Sequence, residues 1–292
     1  MLDLTNMNYN VLNDINNIIQ SEKIDIETLS KLTGISKVTL NEIMNGKLST
    51  KQVYEKFYSY IYDIGYRINL VKEEFLMETN KKILFHGSKN GLKIIRADGS
   101  RKNCDFGEGF YLGESYSSIV SFICENNDSC VYSFELDTDE LKVINFSCSL
   151  EWMLAICYYR GSIKEYENHK MIKKIIEKIK DADLIVAPIA DNRMFYVMTQ
   201  FANGDITENV AIHSLSASSL GNQYILKTDK AINSLKAIEK YYISQNEKAF
   251  YIKNLNQRTE MIETKLKLSK REYKDGLYIE EILQWENLII MV

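Results

Sequence analysis

The hydrophobic pattern of this chain changes its period twice, near Lys82 and again near Gln245. Before Lys82, apolar residues recur at the three- and four-residue spacing of amphipathic helices, and this spacing returns after Gln245. Between these points, apolar residues form short runs bounded by turn residues, which is typical of strands. The pattern predicts an α+β fold class with helical segments on both sides. We expect a helical module over residues 1–75, a central domain over 76–245 and a helical tail over 246–292.

Individual elements follow from the same pattern. The strands predicted in the central domain are Ile83–Phe85, Phe110–Leu112, Val131–Leu136, Leu184–Ile189 and Gln223–Lys227. The predicted helices are Ser115–Glu125 in the central domain and Glu247–Leu268 and Tyr278–Trp285 in the tail.

Charge and cysteine content bear on the class of protein. The formal net charge is −4, so the whole molecule lacks the basic character of a nucleic-acid-binding protein. The five cysteines have no metal-ligand spacing and are odd in number, which indicates reduced thiols. The N-terminus does not resemble a signal peptide, and no apolar run is long enough to span a bilayer. We therefore expect a cytoplasmic protein with no metal site and no membrane contact.

The segment Ser30–Gly46 predicts two helices joined by a tight turn. Gly34 lies where the turn needs a positive φ, and Ser36 is a suitable N-cap for the second helix. The segment resembles the helix-turn-helix of the Cro and phage-repressor class, which implies DNA contact through residues 36–47. In this arrangement the second helix is expected to expose the side chains of Lys37, Thr39 and Asn41.

The charge of this module leaves two alternatives open. Residues 1–72 contain eight basic and eight acidic side chains, whereas DNA affinity depends largely on neutralising phosphates. The module is therefore as well suited to a protein partner, or to packing on its neighbour, as to DNA. The tyrosine-rich run Tyr54–Tyr66 has helical spacing, and we interpret it as a packing surface.

Two glycine-containing motifs carry the chemistry of the central domain. In the first, a predicted strand ends in His86-Gly87-Ser88, where an imidazole can bond a ribose hydroxyl and a bare backbone can approach a flat amide. In the second, Asp105–Gly113, the ring of Tyr111 offers a face on which nicotinamide can stack. Phe122, on the following helix, can cover the other face of the ring.

Together these motifs resemble the histidine–tyrosine–glutamate type of the ADP-ribosyltransferase superfamily. The closer likeness is to an uncharacterised, toxin-like bacterial branch, through HGS at 86–88, DFGEGFY at 105–111 and APIADNR at 187–193. The resemblance spans about residues 82–243 and implies a split β-sandwich core that binds NAD as co-substrate. The residues that it assigns to NAD binding are His86, Gly87, Ser88, Phe106, Gly107, Gly109, Tyr111 and Phe122.

The third superfamily position is a glutamate, and the matching residue here is Gln223. Glutamine can bond a ribose hydroxyl but lacks the charge that stabilises a developing cation. We predict that Gln223 is catalytic together with Asp191, as the source of charge, and Arg193, which can pair with the NAD diphosphate or orient Asp191. Glu208 is a competing carboxylate, although its setting predicts a helix first turn. On this interpretation, restoring glutamate at position 223 should raise or broaden activity.

The resemblance implies a mono-ADP-ribosyltransferase that transfers one ADP-ribose from NAD to a protein or nucleic-acid acceptor. Such bacterial domains resemble toxins of toxin–antitoxin or phage-defence modules, so we expect a neutralising antitoxin protein as a partner. Two alternatives stay open. One is a DNA-binding regulator that senses NAD or ADP-ribose without catalysis, and the other is an NAD glycohydrolase, in which water is the acceptor.

Overall fold

A computed structural model of the chain describes residues 1–216 and 220–288. Its fold class is α+β, as predicted, with a seven-stranded mixed sheet in the middle of the chain and helices at both ends. Within the described residues, no helix combines the length and apolar character needed to cross a membrane. All five cysteines are free thiols.

Five helices dominate the first part of the chain, after a short strand β1 (Leu2–Asp3): α1 (Val11–Glu22), α2 (Ile26–Thr33), α3 (Lys37–Met44), α4 (Lys51–Asp63) and α5 (Ile68–Met77). The local predictions between α2 and α3 are confirmed. Gly34 has a φ of 65°, and the Ser36 hydroxyl accepts a hydrogen bond from the Thr39 backbone N–H to cap α3. These short-range interactions explain why the chain turns at this point.

The aromatic residues of α4 form packing surface, as predicted. Tyr54, Phe57 and Tyr58 are buried, and the Tyr58 ring stacks on Tyr242 with 5.0 Å between ring centroids. The five-helix segment thus packs on the central sheet through α4.

In the part of the chain that the structure describes, eight strands follow: β2 (Lys82–Ser88), β3 (Ile94–Ile95), β4 (Phe110–Gly113), β5 (Cys130–Leu136), β6 (Val143–Asn145), β7 (Leu184–Pro188), β8 (Asn222–Leu226) and β9 (Leu235–Tyr242). Seven of them form one sheet in the order β6-β7-β8-β4-β2-β5-β9, in which β6 and β7 are parallel and the other neighbours are antiparallel. All five predicted strands are confirmed. β1, β3, β6 and β9 were not predicted; in β9, lysine and glutamate interrupt the apolar pattern.

The N-terminal strand does not stay within the first module. β1 pairs with β3, and Tyr9 forms a bridge with Lys240 of β9. Residues on both sides of the predicted boundary near residue 75 therefore share backbone pairing.

Helices cover the sheet and form the tail. They are α6 (Tyr116–Ile123), α7 (Leu150–Arg160), a short 3-10 helix (Lys164–Tyr166), α8 (Lys170–Lys180), α9 (Asn192–Ala202), α10 (Glu208–Ser216), α11 (Asp229–Asn233), α12 (Gln245–Glu272) and α13 (Ile279–Leu288). α7 is buried along most of its length and belongs to the largest hydrophobic core. The two predicted tail helices are confirmed as α12 and α13, and α12 packs against α4, α6, α9 and α10.

The middle of the sheet is only weakly joined. β2 pairs with β5 along its whole length, but β2 and β4 share a single residue pair, Phe85 with Gly113. Beyond that pair the backbones are no longer in ladder register, and this leaves room for a cleft beside His86 and Tyr111.

Candidate functional site

A cavity of about 450 Å³ lies where β2 and β4 separate. Its volume is within the usual range for sites that bind small molecules and cofactors. Its walls come from β2, β4, β8, α6, the loop that precedes β4, and the ends of α7 and α9. Segments distant in sequence thus contribute to one site.

The predicted NAD-binding residues divide into two groups. His86, Gly87, Tyr111 and Phe122 line the cavity, and so does Gln223. The remaining predicted residues are absent from its lining: Ser88, Phe106, Gly107 and Gly109. The Ser88 hydroxyl donates to the Gly91 carbonyl at 2.8 Å, and the Phe106 ring is fully buried in the core.

His86 is held in one protonation state by its surroundings. Its Nδ1 lies 2.7 Å from the Tyr111 carbonyl oxygen, which can only accept, so Nδ1 carries the hydrogen. The ring also stacks on Phe110, with centroids 4.5 Å apart. Burial lowers the pKa of His86 to about 4, so the imidazole is neutral near pH 7. Nε2 is therefore a hydrogen-bond acceptor, suited to a hydroxyl group.

Tyr111 is fixed by the motif that precedes it. Its hydroxyl accepts from the Phe106 backbone N–H at 3.1 Å and donates to the Gly107 carbonyl at 2.7 Å. Burial raises the pKa of this hydroxyl well above its usual value, so it stays a neutral donor. Lys227 secures the same turn from outside, because its Nζ donates to the Phe106 carbonyl at 2.7 Å. The ring orientation is thus set before any ligand binds.

Gly87 allows α6 to approach the sheet closely. A Cβ at this position would lie 2.9 Å from Cγ2 of Ile119 and 3.0 Å from Cδ1 of Ile123, both on α6. Only glycine leaves space for these side chains. The close packing brings Phe122, whose side chain is 45% exposed, to the cavity.

We expect Gly87→Ala to destabilise the fold by about 1–3 kcal/mol, because the added methyl group must displace α6 from the sheet. Binding of the predicted NAD ligand should weaken in parallel, since α6 carries Phe122. Urea unfolding and calorimetry measure the two effects. Gly87→Ala should cost less stability in an Ile119→Ala background than in wild type, because the nearest atom is then absent; an equal cost in both backgrounds would show that contact with Ile119 is not the cause.

Gln223 is hydrogen-bonded to a carboxylate, that of Asp105, which the sequence motifs did not mark as a site residue. Its amide Nε2 donates to Asp105 Oδ2 at 2.8 Å and to the Pro188 carbonyl at 3.1 Å. Arg160 donates through Nε to Asp105 Oδ1 at 2.7 Å, and its guanidinium lies 4.5 Å above the centre of the Phe195 ring. Asp105, Arg160 and Gln223 all line the cavity.

The signals for these two missed residues differ. Asp105 begins the DFGEGFY motif, so its acidic side chain was visible beside the assigned residues. Arg160 is the last residue of α7 and is followed by Gly161, a common arrangement at helix ends that gives no sign of a site.

Asp191 and Arg193 lie beside the cavity rather than in its wall. Asp191 caps α9: its Oδ1 accepts from the backbone N–H groups of Arg193 and Met194, each at 2.9 Å. Its Oδ2 pairs with the Arg193 guanidinium at 3.3 Å. Both residues line a neighbouring cavity of about 310 Å³, which shares Phe122 and Asn192 with the first.

Glu208 is in the first turn of α10, as its setting predicts, and its carboxylate accepts from the Leu277 backbone N–H. It lines neither of the two cavities. Among the described residues, no group of three or more histidine, cysteine, aspartate and glutamate side chains is arranged to hold a metal ion.

Comparison with known proteins identifies a family. The model of a family described as a protein of unknown function (DUF3990) matches residues 82–237, which is more than half of the chain and includes the cavity residues of the sheet. No curated protein matches. No solved structure matches either.

Proposed function

The chain belongs to the DUF3990 family, and we propose that it is an NAD-dependent mono-ADP-ribosyltransferase. The observation that carries the proposal is the meeting of His86, Tyr111, Phe122 and Gln223 at one cavity. They come from β2, β4, α6 and β8, and are the side chains that the resemblance assigns to NAD and to the third superfamily position. We further propose that the core is the split β-sandwich of that superfamily and that the split lies where β2 and β4 separate.

The cavity offers a partner for each part of a nicotinamide riboside. Tyr111 and Phe122 provide aromatic faces for the ring, and such stacking is favourable and independent of charge. The backbone of Gly87 can bond the flat amide. Nε2 of His86 and Oε1 of Gln223 are acceptors for ribose hydroxyls, since the donor groups of both side chains are already used.

The proposed reaction is a displacement at C1′ of that ribose. The bond from C1′ to the nicotinamide nitrogen breaks, and its electron pair leaves with nicotinamide. A nucleophile of the acceptor forms a new bond to C1′ and releases its proton. The site contributes orientation of the ring and ribose, together with hydrogen bonds that strengthen as positive charge develops.

The acceptor is a macromolecule in this proposal, and the protein acts as a toxin that an antitoxin neutralises. For the N-terminal module we favour a protein partner over DNA. Lys37 pairs with Glu27 at 3.7 Å and Lys47 pairs with Glu42 at 2.9 Å, so both lysines of residues 36–47 already face carboxylates. Val38, between them, is 70% exposed, which suits a protein surface better than a phosphate backbone.

Incubation of the purified protein with labelled NAD, with and without cell lysate, tests the proposal. Label on a macromolecule supports transfer. Free ADP-ribose in the absence of lysate, with no labelled macromolecule, would instead assign an NAD glycohydrolase. Unchanged NAD together with calorimetric NAD binding would overturn the enzyme and leave a sensor.

A further inference from the structure

The negative charge that Gln223 lacks lies one hydrogen bond away. Both acceptors of its amide nitrogen, Asp105 Oδ2 and the Pro188 carbonyl oxygen, carry no hydrogen to donate. The amide is therefore oriented with its nitrogen toward Asp105. In the described part of the chain nothing donates to Gln223 Oε1, which leaves this oxygen for a ligand in the cavity.

Given the proposed function, on which this inference rests, we propose that Asp105 and Gln223 act as a pair in place of the single glutamate. Gln223 Oε1 bonds the ribose, and Asp105 is a positioning residue behind it. A carboxylate that accepts from an amide N–H polarises the amide and increases the negative charge on its oxygen.

Arg160 makes this buried carboxylate stable. Asp105 is only 6% exposed, and a buried charge requires a partner. Arg160 bonds Oδ1 and also donates through Nη2 to the Ala190 carbonyl at 2.8 Å. Asp105 Oδ2 is thus left for Gln223, and the Asp105 carboxylate contacts the Arg160 guanidinium through one oxygen and the Gln223 amide through the other.

Asp191 is the competing source of charge. Both of its oxygens are engaged at the start of α9, by two backbone N–H groups and the Arg193 guanidinium. It lines the neighbouring cavity, whereas Asp105 contacts Gln223 directly. The contacts therefore favour Asp105.

The pair also changes what a glutamate at position 223 should do. A carboxylate there would face Asp105 Oδ2 and the Pro188 carbonyl, at the positions where Gln223 now donates at 2.8 and 3.1 Å. The glutamate oxygen, Asp105 Oδ2 and the Pro188 carbonyl oxygen would then be three acceptors with no hydrogen between them, and the two carboxylates would repel each other. Gln223→Glu alone should therefore lower activity, contrary to the expectation from the resemblance.

A charge-exchange experiment tests the pair. NAD consumption in the presence of cell lysate, which supplies the acceptor (kcat and KM), and thermal unfolding of the purified proteins are measured for wild type, Asp105→Asn, Gln223→Glu and the double variant. Each single change should lower kcat roughly tenfold or more. The double variant should recover most of kcat, because the asparagine amide can donate to the new glutamate, which now carries the charge. With a purely structural role for Asp105, the loss of kcat in the single variants would follow a fall in their unfolding temperature, whereas the pair lowers kcat in single variants that unfold like wild type.

Two further variants complete the test. Asp98→Asn changes an exposed aspartate in the loop that precedes β4 and should leave kcat unchanged. Asp191→Asn tests Asp191 as the competing source of negative charge. If this variant loses kcat while Asp105→Asn keeps the wild-type kcat, the proposed Asp105–Gln223 pair is overturned. A folded double variant no better than the single variants also overturns it. A wild-type protein that leaves NAD intact both with and without lysate overturns the proposed function itself, which separates the two failures.

Discussion

Replacing Tyr111 with alanine should weaken NAD binding by roughly 5- to 150-fold, the range that corresponds to losing about 1–3 kcal/mol of base–aromatic stacking. Tyr111 lines the cavity, and its ring orientation is fixed by hydrogen bonds to Phe106 and Gly107. The removed ring is therefore preorganised, and its loss should appear in affinity. Isothermal titration of NAD into each protein measures the change.

Two controls separate stacking from structure. Tyr111→Phe keeps the ring but removes both hydroxyl hydrogen bonds, so it should lower affinity much less than alanine. Tyr196→Ala removes a tyrosine that is 55% exposed on α9 and absent from the cavity lining, and affinity should not change. Equal affinity of wild type and Tyr111→Ala would show that nicotinamide does not stack on this ring.

Replacing Lys72 with methionine should destabilise the fold by about 3–5 kcal/mol, the usual cost of removing one partner from a buried ion pair. Lys72 Nζ lies 2.6 Å from Asp14 Oδ1 and 2.7 Å from Glu239 Oε1, and so joins α1 and α5 to β9. Asp14 is fully buried. Methionine fills much of the same volume but leaves two carboxylates without their cation. Urea unfolding measures the loss.

The pH dependence of this loss has a defined sign. Burial raises the pKa of Glu239, and Lys72 opposes the increase, so without Lys72 the pKa should rise further. A carboxyl with a raised pKa in the folded state binds its proton more tightly there than in the unfolded chain, so its protonation stabilises the fold as pH falls. The stability difference between wild type and Lys72→Met should therefore be smaller near pH 5 than near pH 8.

Lys31→Met is the matched control, since Lys31 pairs with Glu27 at 3.1 Å but its side chain is 74% exposed. Its loss should stay below about 1 kcal/mol because water screens exposed pairs. A similar small loss for Lys72→Met would mean that the buried carboxylates find other partners.

The features that could be predicted from sequence depend on neighbours along the chain. Gly34 and Ser36 act within one turn, so the helix boundary was visible in the residue types. The pattern of apolar residues likewise indicated the central strands. β9 was not predicted, because its lysine and glutamate residues hide the strand pattern and its pairing with β5 decides its conformation. His86 and Tyr111 could be predicted as cavity residues because their motifs are short and contiguous.

By itself, then, the sequence determined the α+β class and predicted His86 of β2 and Tyr111 of β4 as neighbours, and both line the same cavity. Only the tertiary structure decided which carboxylate meets Gln223. Asp105 and Gln223 are 118 positions apart, and Arg160 is 55 positions from Asp105. Their contact depends on the register that places Gly113 opposite Gln223, and on where α7 ends. Such long-range geometry results from packing the whole core, and no local pattern of residues encodes it.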